Sequence, residues 1–302
     1  MKQGKYPLII TFLVPPLLLY GIFVLSPYAQ AFQISTTEWL GYSPDAEFVG
    51  LEQFRRLLHD GYVWNALKNN AILLAIVPVV TIGLGLFFAA MLNMGGRRGR
   101  AGVAGVRGTS VYRLVYFFPQ VLSVVIIALL WKEVYHPNSG LLNGALSAVG
   151  LPTPAWLGDP RTAFWCVLAV MVWSNVGFYV VLFGAAMQAI PRDIYEAVLL
   201  DGASRWTTMR RITIPLLRDT VQVAWIYLAI AALDAFILVQ QMTKGGPNFS
   251  SDVIGLRMYD TAFGAETKFG YASAMGVVLF FLTLSVAIVA LRIGRRERIE
   301  YS

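Results

Sequence analysis

Long apolar stretches separated by short polar ones dominate the chain. A bilayer core about 30 Å thick is crossed by about 20 apolar helical residues. Five charge-free stretches fit this length, near residues 7–28, 71–93, 114–132, 163–187 and 270–292. A sixth, near 215–239, carries Asp234 inside an otherwise apolar run from Val221 to Val239. The pattern therefore predicts six transmembrane helices.

Composition agrees with a membrane protein. Apolar residues make up 57% of the 302 residues and charged residues only 14%, whereas soluble domains carry about 25% charged residues. Spanning segments must satisfy their backbone groups internally, so the fold class is predicted as an all-α polytopic membrane protein. No stretch outside the spans is long enough for an independent core. We therefore expect one transmembrane domain over residues 1–302.

The first apolar stretch also has features of a secretory signal peptide. Lys2 and Lys5 precede it, and the triplet Ala29-Gln30-Ala31 resembles a cleavage site. Its apolar core is longer than the usual signal peptide, and five more spans follow. An uncleaved first helix that contains Pro15 and Pro16 is therefore the simpler hypothesis.

Basic residues predict the orientation. Sixteen of the 24 Lys and Arg residues fall on the side of the two termini, and eight fall on the other side. The positive-inside rule then places both termini in the cytoplasm of an inner (cytoplasmic) cell membrane. The net charge of +7 does not indicate nucleic acid, because the basic residues lie between apolar runs and form no stripe with aromatic residues.

The sequence offers little for catalysis. One cysteine and two histidines cannot supply a disulfide framework or a zinc cluster. The phosphate-binding Gly-x-x-x-x-Gly-Lys-Ser/Thr motif is absent, as are the Gly-x-Ser-x-Gly and His-Glu-x-x-His motifs. We therefore expect no catalytic residue, metal site or cofactor on this chain, and an intramembrane enzyme is a poor alternative.

The polar segment 190–215 between the fourth and fifth spans predicts two short helices joined by a sharp turn. Pro191 suits a helix start, Gly202 suits a left-handed helix end, and Ser204 suits the cap of the next helix. Apolar side chains surround one acid, Glu196, in the first helix, as expected of a docking surface. These apolar residues are Ile194, Tyr195, Val198 and Leu199.

This segment resembles the Glu-Ala-Ala loop of permease subunits of binding-protein-dependent ABC importers. The residues at the spacings of the family's pattern are Glu196, Ala197, Gly202, Ile212 and Pro215. Val198 and Ile214 are conservative departures from that pattern. The resemblance implies a type I importer permease fold and a cytoplasmic loop that docks in a cleft of an ATPase. The residues expected to form this coupling loop are Glu196, Ala197, Asp201, Gly202, Ile212 and Pro215.

Further motifs resemble the sugar-importing branch of that family, the maltose-type first permeases. They are Phe48-Val49-Gly50-Leu51, Tyr116-Phe117-Phe118-Pro119, Pro137-Asn138-Ser139-Gly140-Leu141-Leu142-Asn143, Lys244-Gly245-Gly246-Pro247 and Gly270-Tyr271-Ala272-Ser273-Ala274. Within the branch, the resemblance is to importers of N-acetylglucosamine and its dimer chitobiose. The segments behind this narrower likeness are Gly105-Val106-Arg107-Gly108, Phe117-Phe118-Pro119-Gln120-Val121-Leu122-Ser123, Trp156-Leu157-Gly158-Asp159-Pro160 and Met171-Val172-Trp173-Ser174.

The resemblance also implies the partners. They are a second homologous permease, a cytoplasmic ABC ATPase dimer that holds ATP and Mg, and an extracytoplasmic solute-binding protein. This chain itself would sit in membrane lipid as a non-enzymatic transport subunit that works by alternating access.

Polar residues inside the predicted spans are candidates for a sugar path, since polar groups are costly there. Asn175 and Tyr179 are four residues apart and share a helical face; Tyr227 and Asp234 are second choices. The alternative is that Asn and Tyr hold helices together. An ion-coupled secondary sugar transporter is the alternative function, with Asp234 as its one ionisable residue within a span.

Overall fold

A computed structural model describes residues 5–42, 46–94, 108–264 and 267–294. The chain divides into two compact units. The first comprises Met1–Trp64 and Arg257–Leu282, and the second comprises Asn65–Leu256 and Thr283–Ser302.

Helices make up most of the described chain. In chain order they are α1 (Lys5–Tyr20), α2 (Ser26–Ile34), α3 (Glu52–His59), α4 (Gly61–Met94), α5 (Thr109–Phe117), α6 (Val124–Val134), α7 (Leu141–Ala148), α8 (Ala163–Ala189), α9 (Arg192–Leu200), α10 (Arg205–Thr208), α11 (Ile214–Leu216), α12 (Arg218–Leu233), α13 (Phe236–Met242), α14 (Ile254–Phe263) and α15 (Phe269–Gly294). Gly21–Leu25 and Met209–Thr213 are π-helical, and Phe118–Val121 is a 3-10 turn. The short strands β1 (Thr37–Glu38) and β2 (Glu47–Phe48) pair antiparallel, with Thr37 opposite Phe48.

Four helical segments of the described chain are long and apolar enough to cross a membrane: Ile9–Ile34, Gly61–Asn93, Ala163–Ala189 and Phe269–Arg292. They overlap the first, second, fourth and sixth predicted spans. The other two predicted spans each coincide with a bent helix pair, so the described chain has up to six spans when each pair counts as one.

The third predicted span, 114–132, is not one straight helix. The segments Val111–Val121 and Val124–Val134 meet at 100°. Pro119 has no N–H to donate to the preceding turn, and Leu122 and Ser123 adopt extended backbone angles. The helix therefore stops and restarts within the span.

The fifth predicted span, 215–239, is also interrupted. Residues Arg205–Leu216 and Arg218–Leu233 form a pair bent by 74°. Helix α12 then ends at Leu233, and α13 begins only after Asp234 and Ala235. The helix breaks at Asp234, the residue that interrupts the apolar run in the sequence, and carbonyl groups at the end of α12 bond to a distant side chain, which is described below.

The first unit packs its aromatic residues against its own part of α15. Phe32 of α2 meets Phe280 edge-on at a centroid distance of 5.7 Å and Phe281 at 5.8 Å. The Tyr271 hydroxyl donates to the Asp60 carboxylate at 2.7 Å. These contacts attach the segments before α4 to the start of the last helix.

The second unit is built around α8. Val170 and Phe183 of this helix are fully buried. Gly177 lies so close to the Tyr116 backbone carbonyl of α5 that a β-carbon would overlap it. Helix α8 also packs on α6, α12 and α13, and it leads directly into the segment 190–215.

Candidate functional site

The first helix of the segment 190–215 ends in a Schellman motif. Gly202 has a left-handed backbone (φ +70°) and follows α9 by two residues. The Ala203 N–H donates to the Val198 carbonyl at 3.3 Å, and the Asp201 N–H donates to the Ala197 carbonyl at 3.1 Å. These bonds satisfy carbonyl groups that a helix end otherwise leaves open. The predicted turn at Gly202 is confirmed.

The second half of the segment begins at the predicted cap. The Ser204 Oγ accepts from the Thr207 N–H at 3.2 Å, and α10 starts at the next residue. The π-helical turn Met209–Thr213 and α11 continue this second helix to Leu216, which is longer than the short helix predicted.

A hydroxyl pair joins the two halves. The Tyr195 hydroxyl of α9 lies 3.4 Å from the Thr213 Oγ1, and Thr213 is fully buried. Burial raises the pKa of Tyr195 above its ordinary value, so this side chain stays protonated at neutral pH. The two helices therefore form one folded hairpin.

The exposed apolar residues of this hairpin differ from those predicted. Leu200 is 89% exposed and Trp206 is 71% exposed, on either side of the turn. Ile194, Tyr195 and Val198 are instead half-buried, and the side chain of Leu199 lies outside the described residues. The most exposed apolar side chains of the hairpin therefore flank the turn, and docking at this surface stays a prediction.

Other residues of the predicted coupling loop surround this tip. Glu196, Ala197, Asp201 and Gly202 are exposed, Pro215 is exposed in α11, and Ile212 is half-buried. No heavy atom outside its immediate chain neighbours lies within 4 Å of a β-carbon added at Gly202. The tip is therefore open for a partner.

Charge is separated along the hairpin. The first half, up to the turn, carries three acids, Asp193, Glu196 and Asp201, against the single base Arg192, whereas the second half carries Arg205, Arg210 and Arg211 and no acid. A partner surface would meet an acidic side and a basic side of the same turn, which favours one docking orientation.

Two predicted path residues lie on α8. The Asn175 Nδ2 donates to the Met171 carbonyl at 2.8 Å, within its own helix. Tyr179 is 5% exposed and packs against the Phe183 ring at a centroid distance of 6.2 Å. Both side chains are thus engaged within the subunit in this conformation, and their contact with sugar stays a prediction.

The other two path residues lie on or next to α12. Tyr227 lies on α12, which packs on α8, and is 68% exposed. Asp234 is exposed at the break after α12. The contact of these two residues with sugar stays a prediction.

Within the described residues, no group of three His, Cys, Asp or Glu side chains could hold a metal ion. The sequence interpretation missed Leu200 and Trp206 as exposed anchors, and it missed Gln120. The Gln120 Nε2 donates to the Ser174 carbonyl at 2.6 Å, and thus links the third-span bend to α8. The proline before Gln120 was the available signal for this bend.

A mostly helical chain with bent spans and an exposed hairpin between two of them is typical of a polytopic membrane subunit. Residues 6–299 match the family described as the binding-protein-dependent transport system inner membrane component. The chain belongs to this family.

Two relatives illustrate the match. The chain is 46% identical over 290 residues to the diacetylchitobiose uptake system permease protein NgcF of Streptomyces coelicolor, covering 95% of this chain and 82% of that one. It is 33% identical over 287 residues to the trehalose/maltose transport system permease protein MalF of Thermococcus litoralis, covering 95% and 93%.

The fold resembles solved ABC importers. A subunit of a bacterial ABC transporter involved in the import of the acidic polysaccharide alginate superimposes with a TM-score of 0.82 at 23% identity, covering 96% of this chain and 95% of that one. A second structure of an alginate transporter, in complex with an alginate pentasaccharide-bound periplasmic protein, gives the same TM-score. The type I importer permease fold is thereby shown.

Proposed function

We propose that this chain is the permease subunit of an ATP-driven sugar importer whose substrate is diacetylchitobiose or a related N-acetylglucosamine oligosaccharide. The 46% identity to a diacetylchitobiose permease over 95% of the chain supports this substrate class. Family membership favours the ATP-driven importer over the ion-coupled transporter, the alternative that the sequence left open.

The proposed coupling of this chain to an ATPase rests on the exposed hairpin 190–215. Its capped turn exposes Leu200 and Trp206, and its charges are separated. Exposed apolar patches mark protein interaction sites, and an ATPase subunit is the proposed cover for the two large apolar side chains at this otherwise polar turn. Glu196 would make a polar contact with the ATPase beside these anchors.

In the proposed cycle, a loaded solute-binding protein docks on the side opposite the hairpin. ATP and Mg bound between two ATPase subunits close that pair around the hairpin, and hydrolysis reopens it. A second, homologous permease completes the path, which faces each side of the membrane in turn. Both termini are proposed to lie in the cytoplasm, on the side of the hairpin.

Asn175, Tyr179, Tyr227 and Asp234 are the proposed contacts to sugar hydroxyl groups and rings. The packing of α12 on α8 supports a shared role for these two helices in the path. Asn175, which bonds within its own helix, would have to exchange this bond for one to substrate.

The first test is uptake of radiolabelled diacetylchitobiose in cells with and without the chain. Unlabelled N-acetylglucosamine, maltose and glycerol phosphate serve as competitors. We expect uptake to require the chain, to resist an uncoupler while ATP is held constant, and to be unaffected by maltose. Uptake that collapses with the uncoupler would refute the ATP-driven mechanism. Uptake that does not depend on the chain would refute diacetylchitobiose as its substrate.

The second test concerns the hairpin. Glu196→Ala should abolish uptake while the chain still inserts, because the exposed carboxylate has its proposed partner on another subunit. Glu133→Ala is the matched control, since it removes an exposed acid at the end of α6. Normal uptake by Glu196→Ala would remove this residue from the coupling mechanism.

A further inference from the structure

Two adjacent asparagines of α4 occupy buried positions in the second unit. Asn69 is 6% exposed and Asn70 is 1% exposed. A buried amide is stable only when its donors and acceptor find partners. These two side chains find theirs on the backbone of segments about 160 to 180 residues further along the chain.

Asn70 bonds to two different elements. Its Nδ2 donates to the Ala232 carbonyl at 3.3 Å and to the Leu233 carbonyl at 3.2 Å, which are the last residues of α12. Its Oδ1 accepts from the Ile254 N–H at 2.9 Å, at the first residue of α14. One amide thus holds the break after α12 and the start of α14.

Asn69 bonds to only one of these regions. Its Nδ2 donates to the Ser250 carbonyl at 3.0 Å and to the Asp252 carbonyl at 2.8 Å. Both acceptors lie in the segment 243–253 that connects α13 to α14. Asn65, one helical turn earlier, adds a bond to the Phe249 carbonyl at 2.6 Å.

The segment 243–253 has a strained backbone. Lys244, Asn248 and Phe249 are non-glycine residues with positive φ angles of 52°, 51° and 57°. Such conformations persist only when their surroundings hold them. The amides of α4 and the Ser251 Oγ, which donates to the Thr243 Oγ1 at 2.8 Å, supply this support.

Helix α12 connects this region to the hairpin 190–215. Leu217 follows the hairpin, and the Val221 N–H donates to the Leu217 carbonyl at 2.9 Å as α12 begins. Sixteen residues later α12 ends at the two carbonyl groups that Asn70 binds. At about 1.5 Å per residue, a rigid helix of about 24 Å separates the hairpin from Asn70.

We infer that Asn70 is a positioning residue that joins the far end of α12 to the start of α14 at Ile254, so that a displacement of the hairpin moves both together. This inference rests on the proposed function. Helix α12 transmits the movement, and the Asn70 amide attaches the end of α12 to the start of α14.

The substitution Asn70→Asp tests this attachment selectively. It keeps the shape of the side chain and the acceptor for the Ile254 N–H, but it removes both donations to α12. Asn69→Asp is the matched control: it places the same acid at the neighbouring buried position and removes only the bonds to the segment 243–253.

The measurement uses the complete purified complex in lipid. ATP hydrolysis is compared with and without the solute-binding protein loaded with diacetylchitobiose. In Asn70→Asp we expect the ratio of stimulated to basal hydrolysis to fall by at least about fivefold, while Asn69→Asp at saturating binding protein stays within about twofold of wild type. Basal hydrolysis should persist in both variants.

A stimulation ratio in Asn70→Asp equal to wild type would overturn the inference, as would an equal loss in both variants. If the aspartate does not assemble, Asn70→Ala and Asn69→Ala repeat the comparison. Failure of both Asn70 variants to assemble would assign this residue to folding alone and also overturn the inference. The wild-type complex tests the proposed function independently of Asn70. If the loaded binding protein does not stimulate ATP hydrolysis by the wild-type complex, the proposed function fails.

Discussion

The left-handed turn at Gly202 predicts how a minimal change in the hairpin affects transport. In Gly202→Ala the added β-carbon meets no atom within 4 Å outside its immediate chain neighbours, so the cost is conformational only. A left-handed backbone costs a non-glycine residue about 1–2 kcal/mol. The smaller entropy of the unfolded alanine chain offsets about 0.4–1 kcal/mol. The net cost is about 1 kcal/mol, which lowers the equilibrium constant for forming the native turn about fivefold.

A second turn of the same kind provides the control. Gly150 follows α7 with φ +73°, and a β-carbon there also meets nothing within 4 Å. The Leu151 N–H donates to the Leu146 carbonyl at 2.9 Å, which repeats the Schellman pattern of Gly202. Gly150→Ala therefore introduces equal strain at a site with no proposed role in coupling.

The assay is the initial rate of diacetylchitobiose uptake, normalised to the amount of chain in the membrane. We expect Gly202→Ala to lower this rate, by up to about fivefold, and Gly150→Ala to leave it unchanged. Gly202→Asn should recover most of the rate, because asparagine tolerates the left-handed region. An equal loss in both alanine variants, or none in Gly202→Ala, would refute the link between the geometry of this turn and transport.

Two further predictions concern packing and pH. Gly177→Ala would force its β-carbon into the Tyr116 carbonyl and should destabilise the solubilised complex by about 1–3 kcal/mol or more in thermal unfolding; Gly83→Ala, with open space around it, should be neutral. Because burial raises the pKa of Tyr195, the stability that this residue adds is full below the unfolded pKa of about 10 and declines as the pH rises through the folded value. Thermal unfolding of wild type and of Tyr195→Phe should show that the difference in stability between the two proteins narrows as the pH rises across this range. A difference in stability that stays constant would contradict this prediction.

Local features of the hairpin were predictable from the sequence. A glycine two residues beyond a short helix, followed by a serine before the next, encodes a turn and a cap that depend on neighbours a few residues away. The structure confirms both at Gly202 and Ser204. Four of the six spans could be predicted for the same reason, because each depends only on an uninterrupted apolar run of neighbouring residues.

The remaining features depend on contacts between distant residues. The break after Leu233 is stabilised by Asn70, which lies 163 residues earlier. The exposure of Leu200 and the partial burial of Tyr195 follow from how α9 packs on Thr213. Periodicity alone cannot show which face of a short helix is covered by its own chain, so the apolar anchors of the hairpin were misassigned.

The bend between Val121 and Val124 has a consequence for the lipid around this subunit. Backbone amide and carbonyl groups without helical partners cannot face hydrocarbon, since each costs several kcal/mol there. The extended residues Leu122 and Ser123 interrupt the helix at the depth of a predicted span. We therefore expect water or a protein surface, and not acyl chains, to cover the remaining backbone groups of this bend.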